Sequence, residues 1–149
     1  MNPLFTIGYE QATSDAVLHE LTKARVRLLV DTRAVAASRR PGFSKRQLAA
    51  SLDENGIGYL HLRGLGTPSE GRQAARSGNL DKLWRIYEAH IKTAGAQEEL
   101  DELTALVRKN RVCLLCYERD PAHCHRSRIA ELVRERTGVE IKSLIPVLL

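Results

Sequence analysis

Val112-Cys113-Leu114-Leu115-Cys116 is a run of five apolar residues, and Tyr117-Glu118-Arg119-Asp120-Pro121 ends it with charge and a proline. Unbroken rather than alternating apolarity is the pattern of a strand covered on both faces, as in a parallel sheet. From about Cys124 to Arg136, Ile129, Leu132 and Val133 recur at helical spacing, and Gly138 supplies a stop. The stretch reads as strand, loop and helix, and it holds the densest chemistry in the chain.

The same unit recurs on either side. Leu4-Phe5-Thr6-Ile7 reads as a strand halted by Gly8, and Leu28-Leu29-Val30 as a buried strand ending in Asp31-Thr32-Arg33. Between them Ser14 is expected to cap a helix that packs through Val17, Leu18, Leu21 and Ala24. A basic loop from Ala34 to Phe43 precedes Ser44…Gln47, a capping-box pattern opening a helix that packs through Leu48 and Leu52 and stops at Asn55-Gly56. Tyr59–Leu62 reads as a third strand, and Arg63 to Gly78, without periodicity, as a long loop. Two helices follow, striped by Leu80, Leu83, Trp84, Tyr87 and Ile91 and by Leu100, Leu103, Leu106 and Val107, with Trp84 and Tyr87 read as core. Ile141–Ile145 is a last strand. The order β-α-β-α-β-α-α-β-α-β predicts one three-layer α/β domain over residues 1–149: a mostly parallel sheet of about five strands with helices on both faces.

Composition agrees. A chain of 149 residues, 43% hydrophobic and 28% charged, has the size and balance of one ordinary globular domain, which excludes disorder. No apolar stretch is long enough for a membrane helix. The start, Met1-Asn2-Pro3-Leu4-Phe5, has neither the basic nor the apolar region of a secretory leader, and three cysteines are an odd count; a cytoplasmic location is expected. The net charge of +5 is uneven: Lys23 to Arg46 holds eight basic residues against Asp31 alone. Such a segment suits an anionic partner or is a solvated face.

In open parallel sheets, ligands sit beyond the carboxyl ends of the strands. That rule gathers Gly8, Tyr9, Asp31, Arg33, Arg63, Cys116, Glu118 and the start of the last helix at one edge. Three chemistries compete there. A zinc-type set of Cys113, Cys116, Cys124 and His125 fails on spacing, because residues three apart on a strand face opposite ways. Cys113 is therefore expected in the core; a set of Cys116, Cys124 and one His remains, and no metal or other cofactor is assigned. An anion site would use the amides opening the last helix with Arg33, Arg126 and Ser127, while Asp31 and Glu118 serve as general acid or base. Thiol chemistry would use Cys124, whose place at a helix start beside His125 and Arg126 favours the thiolate, with Cys116 as its disulfide partner. Against these stand plainer roles: Asp31–Arg33 as a structural ion pair, His125 orienting the helix, and both cysteines as packing.

Thr6-Ile7-Gly8, Asp31-Thr32-Arg33, Ser38-Arg39-Arg40-Pro41-x-Phe43, Tyr59-Leu60-His61-Leu62 with Leu65-Gly66, and Cys116-x-Glu118…Pro121…Cys124-His125-Arg126 occur in that order. Together they resemble the small prokaryotic proteins grouped as domain of unknown function 488. The resemblance implies an α/β domain and brings no reaction, cofactor or substrate with it. Tyr9-Glu10 stands where that family usually has His-Ser, and Ala36 where it has proline.

The leading expectation is a small enzyme acting on an anionic, phosphorylated or nucleotide-like ligand. Asp31, Glu118 and Cys124 would be catalytic; Gly8, Tyr9, Arg33, Arg39, Cys116, His125, Arg126 and Ser127 would bind. The alternatives are a nucleic-acid-binding protein using the basic 23–46 segment, including Arg39 and Arg40, and a thiol redox sensor through Cys116 and Cys124.

Overall fold

Continuous apolar runs need cover on both faces, and the chain provides it. The computed structural model describes residues 1–148, without the side chain of His123. Its strands β1 (Leu4–Gly8), β2 (Leu28–Asp31), β3 (Gly58–His61), β4 (Val112–Cys116) and β5 (Ile141–Leu144) form one sheet in the order β3-β2-β4-β1-β5. Every pairing is parallel. The helices are α1 (Ser14–Lys23), α2 (Lys45–Glu54), α3 (Ser69–Arg76), α4 (Leu80–Ile91), α5 (Ala94–Lys109) and α6 (His125–Thr137).

Strand alternation divides the core. Phe5, Ile7, Leu29, Cys113 and Leu115 face α1 and α2, packing on Val17, Leu21, Leu48 and Leu52. Leu4, Val30, Val112 and Leu114 face the other way, onto Tyr87, Leu100, Leu103, Ile129 and Val133 of α4, α5 and α6. Each such buried aliphatic side chain contributes about 1.5–3 kcal/mol of transfer free energy against its ordering entropy. The expected three-layer α/β architecture is present.

Topology singles out one crevice. The connections from β1 and β2 run over one face, and those from β3 and β4 over the other. At the neighbouring pair β2 and β4, the connection from β2 runs over one face toward β3. That from β4 runs over the other toward β5, so the two diverge along the sheet and open a gap at the carboxyl ends.

Local details depart from the expectations where side chains found other partners. Thr13, not Ser14, caps α1, its Oγ1 accepting from the Ala16 amide at 3.1 Å. Ser44 stands at the N-cap of α2 without a side-chain cap bond. Its hydroxyl instead donates to the Ser38 carbonyl (2.9 Å), and Gln47 accepts from the Gly42 amide (3.1 Å). The capping box is thus spent on fastening the basic loop. The segment 63–78 is not one loop: a 3-10 turn, Arg63–Leu65, leads into α3. Only two of its residues, Gly71 and Ala74, bury fully, too few for a visible stripe.

Candidate functional site

β1 and β4 end side by side, Gly8 opposite Cys116. Gly8 is required there, because a Cβ at this position would overlap the Glu118 carbonyl, with its carbon only 2.6 Å away. This close approach fixes the loop after β4 against the sheet edge.

The residues of that edge fall into two clusters. Asp31 lies opposite Leu115 in the register, so its side chain shares the α1/α2 face. It is fully buried, and Arg33 meets it through Nε (2.9 Å) and Nη2 (2.7 Å) while the Arg33 amide (3.1 Å) and Tyr59 hydroxyl (2.5 Å) also donate to it. Arg33 spends its remaining nitrogen on the Tyr9 hydroxyl (3.1 Å) and Phe43 carbonyl (2.7 Å). Tyr9 stacks on Phe43 with ring centroids 4.3 Å apart. Burial works against the Arg33 charge, but bonding to Asp31 and its field prevail and hold the guanidinium above its ordinary pKa. Burial, then Asp31, also raises the Tyr59 hydroxyl. The geometry is that of a brace joining β2, β3, β1 and the basic loop.

Cys116 is one residue further along β4 and points to the α6 face. Its sulfur is joined to that of Cys124 as a disulfide, the pairing expected for these two cysteines, across a Cα separation of 7.3 Å. His125 bonds the Thr32 carbonyl through Nε2 (2.8 Å), so Nε2 carries the proton, and Nδ1 faces Cys124 Sγ at 3.9 Å. Burial depresses the imidazole to about pKa 4, against the opposing pull of the Thr32 bond, so it is neutral at pH 7. Arg126, 1% exposed, donates to Cys116 Sγ (2.9 Å) and to the carbonyls of Glu118 and Arg119 (3.1 Å to the latter). Burial lowers its pKa, with the field of Glu118 acting the other way. Cys113 is in the opposite core, its thiol pushed up by burial.

The expected convergence of Asp31, Arg33, Cys116 and Arg126 on one ligand is therefore not what the side chains do. They flank the β2–β4 gap on opposite faces, joined through the Thr32 carbonyl. Ser127 donates to the Pro121 carbonyl and lines a smaller hollow with Thr6 and Ser143. Arg39 is exposed on its loop, while Arg40 donates to the carbonyls of Tyr9 and Ala12. Of the basic 23–46 segment, Arg33 and Arg40 are thus used internally, and Lys23, Arg25, Arg27, Arg39, Lys45 and Arg46 stay exposed.

Residues 13–133 match the family described as Domain of unknown function DUF488. The chain belongs to this family. The match takes in Asp31, Arg33, Cys116, Glu118 and Cys124 to Ser127, and leaves Gly8 and Tyr9 outside. No curated protein and no solved structure matches the chain. In this DUF488 member no helix among the described residues is long and apolar enough to cross a membrane.

A cleft of about 650 Å³ opens beside the α6 cluster, lined by Glu118 and His125 from the β4–α6 segment, Glu10 and Tyr117, and Arg72 and Arg76 from α3. Burial, then Glu10, raises the Tyr117 hydroxyl. Arg72 Nε is buried there without a hydrogen-bond partner. Reasoning from sequence passed over both arginines because α3 read as loop. The signal that could have found them is Pro68 at one end and Gly78, with φ +78°, at the other, the asymmetry of a helix start and stop.

Proposed function

We propose that the cleft binds a small anionic ligand, phosphorylated or nucleotide-like, and that the protein acts on it as an enzyme. The observation that carries this reading is Arg72, a guanidinium on the cleft wall whose buried Nε–H is unpaired. The Nε–H is not committed to a partner in the fold, so the Arg72 charge remains available to favour an oxyanion lying in the cleft. Arg76 adds a second cation on the same wall. Position supports the reading too, since the cleft adjoins the gap at the carboxyl ends of the strands.

Glu118 is the group assigned to proton transfer, because it lines the same cleft from the β4–α6 segment. Asp31 is assigned to bracing rather than catalysis, since its oxygens already receive four hydrogen bonds. Cys124, 1% exposed and disulfide-linked to Cys116, is not given a nucleophile's part in this reading.

The test is a thermal-shift screen of nucleotides, sugar phosphates and pyrophosphate. A ligand at one hundred times its Kd adds ~2.7 kcal/mol, a rise of roughly 5–10 °C for a chain of this size. Arg72→Met with Arg76→Met should abolish the shift while leaving the unliganded melting point within a few degrees. Glu118→Gln should keep binding and remove turnover. If no anion in the library moves the wild-type protein, the reading fails.

A further inference from the structure

Three donor atoms converge on the α6 side of the sheet edge. Cys116 Sγ, Cys124 Sγ and a ring nitrogen of His125 all lie within 4.8 Å of one another. We propose that these residues form a binding site for a divalent metal ion of the zinc class, with two thiolates and one imidazole as protein ligands.

The two sulfurs are joined as a disulfide in the structure, so the site belongs to the reduced protein, and three features favour an ion there. The first is the histidine. Donation from Nε2 to the Thr32 carbonyl leaves Nδ1 as a lone pair directed at the sulfurs. A metal-ligating histidine characteristically hands its other N–H to a carbonyl or carboxylate in this way. A disulfide would leave that lone pair facing two atoms with no proton to give. The second is Arg126, whose buried guanidinium donates to Cys116 Sγ. Disulfide sulfur offers a buried cation no charge, whereas a thiolate does, and an adjacent arginine favours that thiolate. The third is spacing. Cα atoms 7.3 Å apart exceed the span of a relaxed disulfide, while two thiolates sharing one ion need no such closeness.

The donor set also selects the ion. Two soft sulfurs and an imidazole suit zinc and exclude calcium or magnesium, which take oxygen ligands. Binding releases the protons of both thiols, so it strengthens as pH rises. Structural zinc sites close with four protein ligands, and catalytic sites keep three and an open position. Glu118 Oε2 is 3.6 Å from Cys116 Sγ, which puts a carboxylate beside that fourth position. His125 and Glu118 both line the cleft. The ion would thus stand at the wall of the proposed anion site; the proposal rests on that reading only for the ion's purpose, not for its binding.

The experiment is a cobalt titration of the fully reduced protein after chelator treatment, with no anion present. Expected is a single equivalent of Co²⁺ giving the visible bands and near-ultraviolet thiolate charge-transfer band of a tetrahedral thiolate site, displaced by Zn²⁺. Cys113→Ala should retain the spectrum. Cys124→Ser and His125→Gln should each weaken binding at least 100-fold, and melting curves establish that the variants are folded. The wild-type result alone suffices if they are not. Absence of these bands in protein with three titratable thiols would overturn the site. So would a spectrum that survives in folded Cys124→Ser, or an as-isolated protein that shows one free thiol on denaturation and binds no cobalt after reduction. Anion binding through Arg72 and Arg76, measured in chelator, is a separate result that can stand or fall alone.

Discussion

Replacing Asp31 by Asn tests whether the acid is a brace or a reagent. Asp31 is fully buried, and its oxygens accept from Arg33 Nε, Nη2 and amide at 2.7–3.1 Å and from Tyr59 at 2.5 Å. Both oxygens face donors, so the amide nitrogen of Asn must point at one of them. Arg33, only 6% exposed, then loses its counter-charge and keeps Tyr9 and Phe43 as partners. Removing one member of a buried pair costs about 3–5 kcal/mol. For a chain of this size that is a fall in melting temperature of roughly 6–20 °C. Urea unfolding at pH 7, followed by far-ultraviolet circular dichroism, gives the free energy directly. The double variant Asp31→Asn with Arg33→Met removes both charges and should be less destabilised than the two single changes summed, by about 2 kcal/mol or more. A cost for Asp31→Asn below about 1 kcal/mol would refute the brace, because a surface-like penalty means the pair is not made in solution.

Two further outcomes follow from the same geometry. Gly8→Ala forces a Cβ onto the Glu118 carbonyl, so it should cost about 1–3 kcal/mol and weaken cobalt binding by shifting the Cys116–Glu118 segment; a stability within 0.5 kcal/mol of wild type by urea titration would show that the approach is looser. His125 is depressed to about 4 by burial, against ~6.5 when unfolded, so between those values the unfolded state binds more protons and the metal-free protein loses stability as pH falls. The full loss is at most on the order of 3 kcal/mol. His125→Gln should flatten the slope between pH 6.5 and 4, and parallel stability curves would place the titration elsewhere.

The elements and their layering were legible in the chain because burial on two faces leaves a simple signature. Val112 to Cys116 and Leu28 to Val30 announced buried strands, and the stripes of Leu83, Tyr87 and Leu100, Leu103 announced their covering helices. The carboxyl-edge rule gathered residues that do end neighbouring strands, and the spacing of Cys113 and Cys116 correctly parted them. Helix α3 was the exception: it buries only Gly71 and Ala74, so its arginines were invisible as cleft residues. What tertiary structure decided was the face. A parallel register puts Asp31 beside Leu115 and Gly8 beside Cys116, and a pleat of period two then sends Asp31 and Cys116 to opposite sides of the sheet. Sequence lists the residues that end strands; only the register says which of them can touch. The same holds for His125, whose tautomer depends on the carbonyl of Thr32, 93 residues away along the chain. Local sequence governs local conformation through propensity and burial, but a constellation of side chains depends on strand offsets and hydrogen-bond partners that no local pattern encodes.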